Sequence, residues 1–220
     1  VIGTPDHWHA LNAILAMKQG KDVFCEKPLS LTIQEGRAMV DTARRYERVF
    51  SSGSQRVLGD YGNLDRQVQS GELGQIHKCY VNVGGPPMHC NLPGEPVPDD
   101  IDWDMWLGPA PWAPYHRDRC VDLWHWWHWR DYSGGLMTDR GAHDFDIVQW
   151  GLGMDKSGPV EIVPPENPKS GRGVKYIYEN GVEVIHGGRG GITFFGTDGE
   201  IFVTRGKLES KPEDIIKKPI

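Results

Sequence analysis

Asp22-Val23-Phe24-Cys25-Glu26-Lys27-Pro28 is the stretch on which the fold turns. Its first four residues read as a short buried-type strand, and the chain then turns at Glu-Lys-Pro. Upstream, Val1 to Gly3 reads as the end of another strand, followed by a Thr-Pro turn. A helix then runs from 6 to about 19, with Asp6 expected as its cap and Gly20 as its left-handed stop. Downstream, Thr32 opens a second helix, Glu35 completes a capping box, and Ala38, Met39 and Ala43 form an apolar stripe. Residues 49–53 supply the next strand. Short strands alternating with helices of this length are the βαβ pattern of a parallel sheet. Ligands bind such sheets beyond the carboxyl ends of the strands, where Thr4-Pro5, Glu26-Lys27 and Ser54-Gln55-Arg56 all fall.

Beyond residue 58 the pattern changes. A helix is expected around 64–70 and an alternating strand over 76–83, followed by a Gly/Pro-rich loop to about residue 100. A polar, aromatic connection leads to Gly134-Gly135 and a helix from about 138 to 150. Strands are predicted at 174–178, 182–186, 192–195 and 200–204. Asn180-Gly181 and Asp198-Gly199 join them in pairs and are the strongest hairpin signals in the chain. The expected organisation is α/β for residues 1–58 and an α+β domain with an open, largely antiparallel sheet for 59–220.

Composition narrows the function. The 220-residue chain carries a net charge of −6 with no block of like charges, so it has no footprint for nucleic acid. No run approaches the length of a membrane span, and no membrane partner is expected. The cysteines Cys25, Cys79, Cys90 and Cys120 lack paired spacing and read as reduced thiols. His89, His116, His125 and His128 match no metal-site spacing, so no metal is expected. Four of the nine Trp lie in Trp124-His125-Trp126-Trp127-His128-Trp129, a segment suited to a core, an interface or a sugar face.

The chemistry concentrates in Glu26-Lys27-Pro28 and Asp139-Arg140-Gly141-Ala142-His143. Asp139 and His143 lie four apart on a predicted helix, so both project from one face. A carboxylate beside an imidazole orients the ring and favours its taking a proton, which suits His143 to acid–base work. An ammonium from Lys27 near the same oxygen would stabilise a developing alkoxide. Arg56, Trp124, His128 and Arg130 are softer candidates for binding substrate hydroxyls.

Thr4-Pro5-Asp6-His7-Trp8-His9, then Gly20 to Pro28, and then Gly134-Gly135-x-x-x-Asp139-x-Gly141-x-His143-x-x-Asp146 closely resemble the Gfo/Idh/MocA oxidoreductases. The resemblance covers nearly the whole chain. It implies the C-terminal part of a Rossmann sheet followed by an open antiparallel sheet that commonly serves as a dimer face. It further implies NAD or NADP as cofactor and oxidation or reduction at a CH–OH carbon of a sugar, cyclitol or related polyol. Lys27, Asp139 and His143 would be the catalytic trio, while Thr4, Pro5, His7, Glu26 and Pro28 would border the nicotinamide and its ribose. Members of the family begin with a strand and a G-x-G-x-x-G turn, which precede nothing here, and they carry further segments after the region near Lys211. The sequence therefore reads as truncated at the N-terminus and also at the C-terminus, and compartment is left open. Two alternatives accompany the dehydrogenase reading: an NAD-dependent glycosidase working by transient oxidation and elimination, and a catalytically incompetent fragment of such an enzyme.

Overall fold

The computed structural model describes residues 1–56, 64–121 and 123–218, without the side chains of Leu123 and Trp124. The expected boundary after residue 58 lies outside the described residues. By compactness the chain forms two units, each discontinuous: Val1–Ser54 with Pro86–Ala142, and Gln55–Gly85 with His143–Ile220. Segment 86–142 thus groups with the N-terminal strands and helices.

In the first unit, helix α1 (Asp6–Lys18) buries Asp6, His9, Ala10, Ala13 and Met17, a stripe spaced at helical period. That stripe meets Val23 and Cys25 of strand β1 (Val23–Cys25) and Met39 of helix α2 (Ile33–Arg45). Gly20, at φ +77°, provides the expected left-handed stop. The capping box on α2 is present: the Thr32 hydroxyl accepts from the Glu35 amide at 3.2 Å, and the Glu35 carboxylate accepts from the Thr32 amide at 2.8 Å. Asp6 departs from its expected role. The residue preceding α1 is Pro5, no side chain caps the helix, and Asp6 lies inside the first turn, buried.

Strand β2 (Phe50–Ser52) pairs in parallel with β1, and Ile2 forms a parallel bridge to Cys25 on the other side. The Glu26 amide donates to the Ile2 carbonyl at 2.9 Å. Gly3-Thr4-Pro5, Glu26-Lys27-Pro28 and Gly53 therefore leave three parallel segments at the same end.

The supposed polar connection is a folded aromatic cluster built on short helices, among them α4 (Trp103–Leu107), α5 (Arg117–Cys120) and α6 (Leu123–Trp126). Asp102 caps α4 by accepting from the Met105 amide at 2.9 Å. Trp103 stacks on Trp106 at 5.0 Å, and Tyr132 meets Trp106 edge-on at 4.8 Å. Gly108 lies under Trp8: a Cβ there would sit 2.1 Å from the indole, so only glycine permits the approach. Four- or five-residue helices are too short to display a period, which is why they escape a reading by periodicity.

In the second unit, α3 (Leu64–Gln69) precedes a sheet of seven strands among the described residues. They are β3 (Ile76–Asn82), β4 (Glu161–Val163), β5 (Lys175–Ile177), β6 (Glu183–His186), β7 (Gly191–Gly196), β8 (Glu200–Thr204) and β9 (Lys207–Lys211). Their order is β4-β5-β6-β3-β7-β8-β9. Asn180-Gly181 and Asp198-Gly199 turn the β5–β6 and β7–β8 hairpins, as expected. The β3–β6 pair is parallel, so the sheet is mixed though mostly antiparallel. Cys79, Val81, Val184, Ile192, Phe194, Ile201 and Val203 form its buried face. Helix α8 (Gly141–Gly151) lies on that face, with the Phe145 ring 5.4 Å from Tyr176 and Gly151 against Phe194. Among the described residues no helix is long and apolar enough to cross a membrane.

Candidate active site

The first unit carries an ion pair between Lys27, at the end of β1, and Asp139, at the end of helix α7 (Gly135–Asp139). The Lys27 Nζ donates to Asp139 Oδ1, joining residues 112 positions apart, with both side chains largely buried. The helix expected from 138 begins earlier, at Gly135, and is divided at Arg140, which keeps a right-handed helical backbone. His143 follows four residues after Asp139, inside α8 and 5% exposed.

Sequence reasoning missed the acid beside this pair. Asp6 is 2% exposed, and its Oδ2 has no hydrogen-bond partner among the described residues. Burial pushes its carboxyl up to about 7 and the nearby Asp139 charge adds to the rise, while the Ser133 hydroxyl and the Lys27 ammonium act against it. The clue available in the sequence was Asp6 directly after Pro5, a position also suited to a cap.

The remaining candidates sort by exposure. Thr4 is exposed, Pro5 and Glu26 are half-buried and Pro28 is buried, all at the strand ends. The Glu26 carboxylate lies against Gly53, where a Cβ would come within 2.9 Å of Oε2. A Cβ on Gly3 would meet nothing within 4 Å, so the strand end opens onto free space. These hydroxyl, carboxylate and ammonium groups are donors and acceptors fitted to an amide and a ribose, and therefore to a nicotinamide nucleotide.

His7 does not belong to that border. Its ring is 2% exposed and packs on Trp106 at 5.2 Å and Tyr132 at 5.4 Å, with Nε2 3.0 Å from the Trp106 carbonyl. Burial holds its pKa below the ordinary imidazole value. With its ring enclosed by aromatic partners, it anchors α4 to α1 and offers no face to a ligand.

Arg56 is likewise drawn elsewhere. In the second unit its Nε and one terminal nitrogen donate to Asp146, and the other terminal nitrogen donates to Asp155 at 3.1 and 3.2 Å. Its guanidinium also lies 5.5 Å from the Trp150 ring centroid. Every guanidinium nitrogen is engaged, so the expected substrate contact gives way to a structural one. His128 is half-buried with its ring edge-on to Trp127 at 5.8 Å, and Arg130 is exposed. Their segment is held by the Met88 amide donating to the His128 carbonyl at 2.7 Å. The side chain of Trp124 lies outside the described residues.

Comparison with known proteins identifies the family. The profile "Oxidoreductase family, NAD-binding Rossmann fold" matches residues 1–54, and "Oxidoreductase family, C-terminal alpha/beta domain" matches residues 88–205. D-glucoside 3-dehydrogenase of Escherichia coli (strain K12) is 34% identical over 152 residues, which is 69% of this chain and 34% of that protein. Glycosyl hydrolase family 109 protein 1 of Shewanella sp. (strain ANA-3) is 48% identical over 48 residues, 22% of this chain and 10% of that protein. Among solved structures, the WlbA dehydrogenase from Bordetella pertussis, in complex with NADH and UDP-GlcNAcA, aligns with a TM-score of 0.61 at 17% identity. That alignment covers 94% of this chain and 60% of the other, and it bears on the fold alone. The chain spans about a third of the length of the Escherichia coli relative. With one profile of the family on the N-terminal strand–helix segment and a second on more than half of its residues, this chain belongs to the Gfo/Idh/MocA family of oxidoreductases.

Proposed function

We propose that the protein is an NAD- or NADP-dependent oxidoreductase acting on a CH–OH group of a sugar, cyclitol or related polyol, with Lys27, Asp139 and His143 as its catalytic side chains. The observation that carries this reading is the Lys27–Asp139 ion pair at the end of a parallel strand, in a family of oxidoreductases. The similarity to a D-glucoside 3-dehydrogenase points to a sugar as the substrate class. Thr4, Pro5, Glu26 and Pro28 border the nicotinamide and its ribose in this reading, and His128 and Arg130 face substrate hydroxyls.

Bound nicotinamide supplies the hydride acceptor for oxidation. Lys27, held by Asp139, places positive charge at the alcohol oxygen as the C–H bond breaks. His143 takes the hydroxyl proton, so the alcohol leaves as a carbonyl compound after losing one hydride and one proton. In reduction the same imidazole returns the proton. Two N–H groups of the ammonium remain beyond the Asp139 contact, enough to reach a substrate oxygen. The half-exposed sheet face bearing Tyr80 and Phe195, whose rings meet edge-on at 5.7 Å, is read as a surface for association between copies.

The test is turnover by the full-length protein with NAD and NADP across glucosides and cyclitols, read as reduced nicotinamide. Formation of NADH or NADPH with at least one substrate, lost in Lys27→Met, is expected. Silence across the panel in both directions would sink the proposal. The Shewanella similarity favours one second reading, an NAD-dependent glycosidase. Release of the aglycone without net NADH would distinguish it.

A further inference from the structure

His9 lies in α1, two residues beyond His7, and is 1% exposed. Its Nδ1 is 2.7 Å from the Pro28 carbonyl oxygen and its Nε2 is 2.8 Å from the Thr4 carbonyl oxygen. Both partners are backbone carbonyls, which only accept. A neutral imidazole has one N–H, so one of the two contacts would set a ring lone pair against a carbonyl lone pair at a buried position. Both contacts are satisfied only when both ring nitrogens donate. The two carbonyls belong to the loops leaving Ile2 and β1, the same loops that carry Thr4-Pro5 and Lys27.

We infer that His9 is a positioning residue: a buried imidazolium clasp that ties the Thr4 loop to the Lys27-Pro28 loop and so sets the gap between the nicotinamide border and the reacting ammonium. Hydrogen bonds from a charged donor are roughly twice as strong as neutral ones, which suits a clasp built from a single ring. The charged groups of the unit nearest in the chain to its contacts are Asp6, three residues earlier on α1, and Glu26 and Lys27 on the clasped loop. Burial lowers the pKa of the neighbouring His7. A side chain that merely filled the core under α1 would need no nitrogen at either position.

The catalytic consequence rests on the oxidoreductase reading above, whereas the clasp itself does not. The first experiment is therefore nitrogen-15 NMR of the histidine rings in the full-length protein near pH 7.5, with His9 assigned by its loss in His9→Gln. Near-equal shifts for both ring nitrogens, each coupled to a proton, are expected. The widely split pair of a neutral ring would overturn the clasp. In His9→Gln, amide hydrogen exchange at Glu26 and Lys27 should quicken by about tenfold, since the loop loses its tie to the Thr4 loop through the ring. With the enzyme active, turnover should fall about tenfold to a hundredfold, the cost of a misplaced group, while the sugar KM changes little. A variant that melts earlier yet keeps its turnover number and loop exchange would overturn the positioning role. Absence of turnover in the parent protein would count against the oxidoreductase reading alone, because the ring shifts and exchange still decide the clasp.

Discussion

Lys27 in the first unit and Arg56 in the second begin from the same sequence signal, a cation just past the end of a short parallel strand. The structure treats them differently. Lys27 meets one carboxylate oxygen, Asp139 Oδ1, and stands near the buried acid Asp6. Arg56 is gripped by Asp146 and Asp155 together and lies over Trp150. An ammonium held at one point keeps two N–H donors, whereas a guanidinium whose three nitrogens all bond carboxylates is fixed in place by them. On the proposed reading, the number of carboxylates around a cation, more than its place at a strand end, separates the reactive charge from the structural one.

The largest effect should come from breaking the first pair. Lys27→Met in the full-length protein should lower the turnover number by about 10³-fold while the fold persists, measured as nicotinamide reduction beside far-ultraviolet circular dichroism. Equal turnover in parent and variant would place Lys27 with Arg56, as structure and not chemistry.

The acid beside that pair comes next. An unfolded aspartate titrates near its ordinary value of 3.8, while folded Asp6 holds its proton to about pH 7. Between those values the folded chain binds one more proton than the unfolded chain, so stability falls as pH rises through this window. Asp6→Asn removes that penalty. Its stability relative to the parent should climb from pH 4 to pH 7 by up to about 4 kcal/mol, read from urea unfolding at each pH. A flat difference would mean that Asp6 is ionised throughout.

Arg56→Met should reverse the pattern seen at Lys27. Turnover should remain within about twofold, and unfolding should cost about 1–3 kcal/mol less, because Asp146 loses its charged partner. A large fall in turnover would return Arg56 to the substrate site. The smallest effect belongs to Asp155, whose side chain is half exposed. Asp155→Asn should shift stability by about 0.5 kcal/mol or less, and high salt should erase the shift.

Several elements were legible before the structure because their signals are local. Thr32 and Glu35 cap α2 as their spacing requires, Gly20 stops α1, and the Asn-Gly and Asp-Gly pairs turn their hairpins. The strands β4 and β9 and the short aromatic helices were not legible. Helices of four or five residues contain too few repeats for a period to stand out, and neither β4 nor β9 is joined to its neighbour by an Asn-Gly or Asp-Gly pair of the kind that marked the other hairpins. The same limit hid Asp6, since a carboxyl after a Thr-Pro turn is written identically whether it caps a helix or lies buried.

By itself, the sequence determined the strand–helix alternation of the N-terminal segment, the hairpins of the C-terminal sheet and the motifs carrying Lys27, Asp139 and His143. Those features depend on neighbours within about four residues, the reach of a turn, a cap or a helical face. Only the tertiary structure decided that Asp139 receives Lys27 from 112 positions away, that Arg56 is locked against Asp146 and Asp155, and that His7 and His9 serve the scaffold. Burial and charge pairing act through space, so a side chain's protonation and its freedom to react are set by whatever distant residues the fold brings against it.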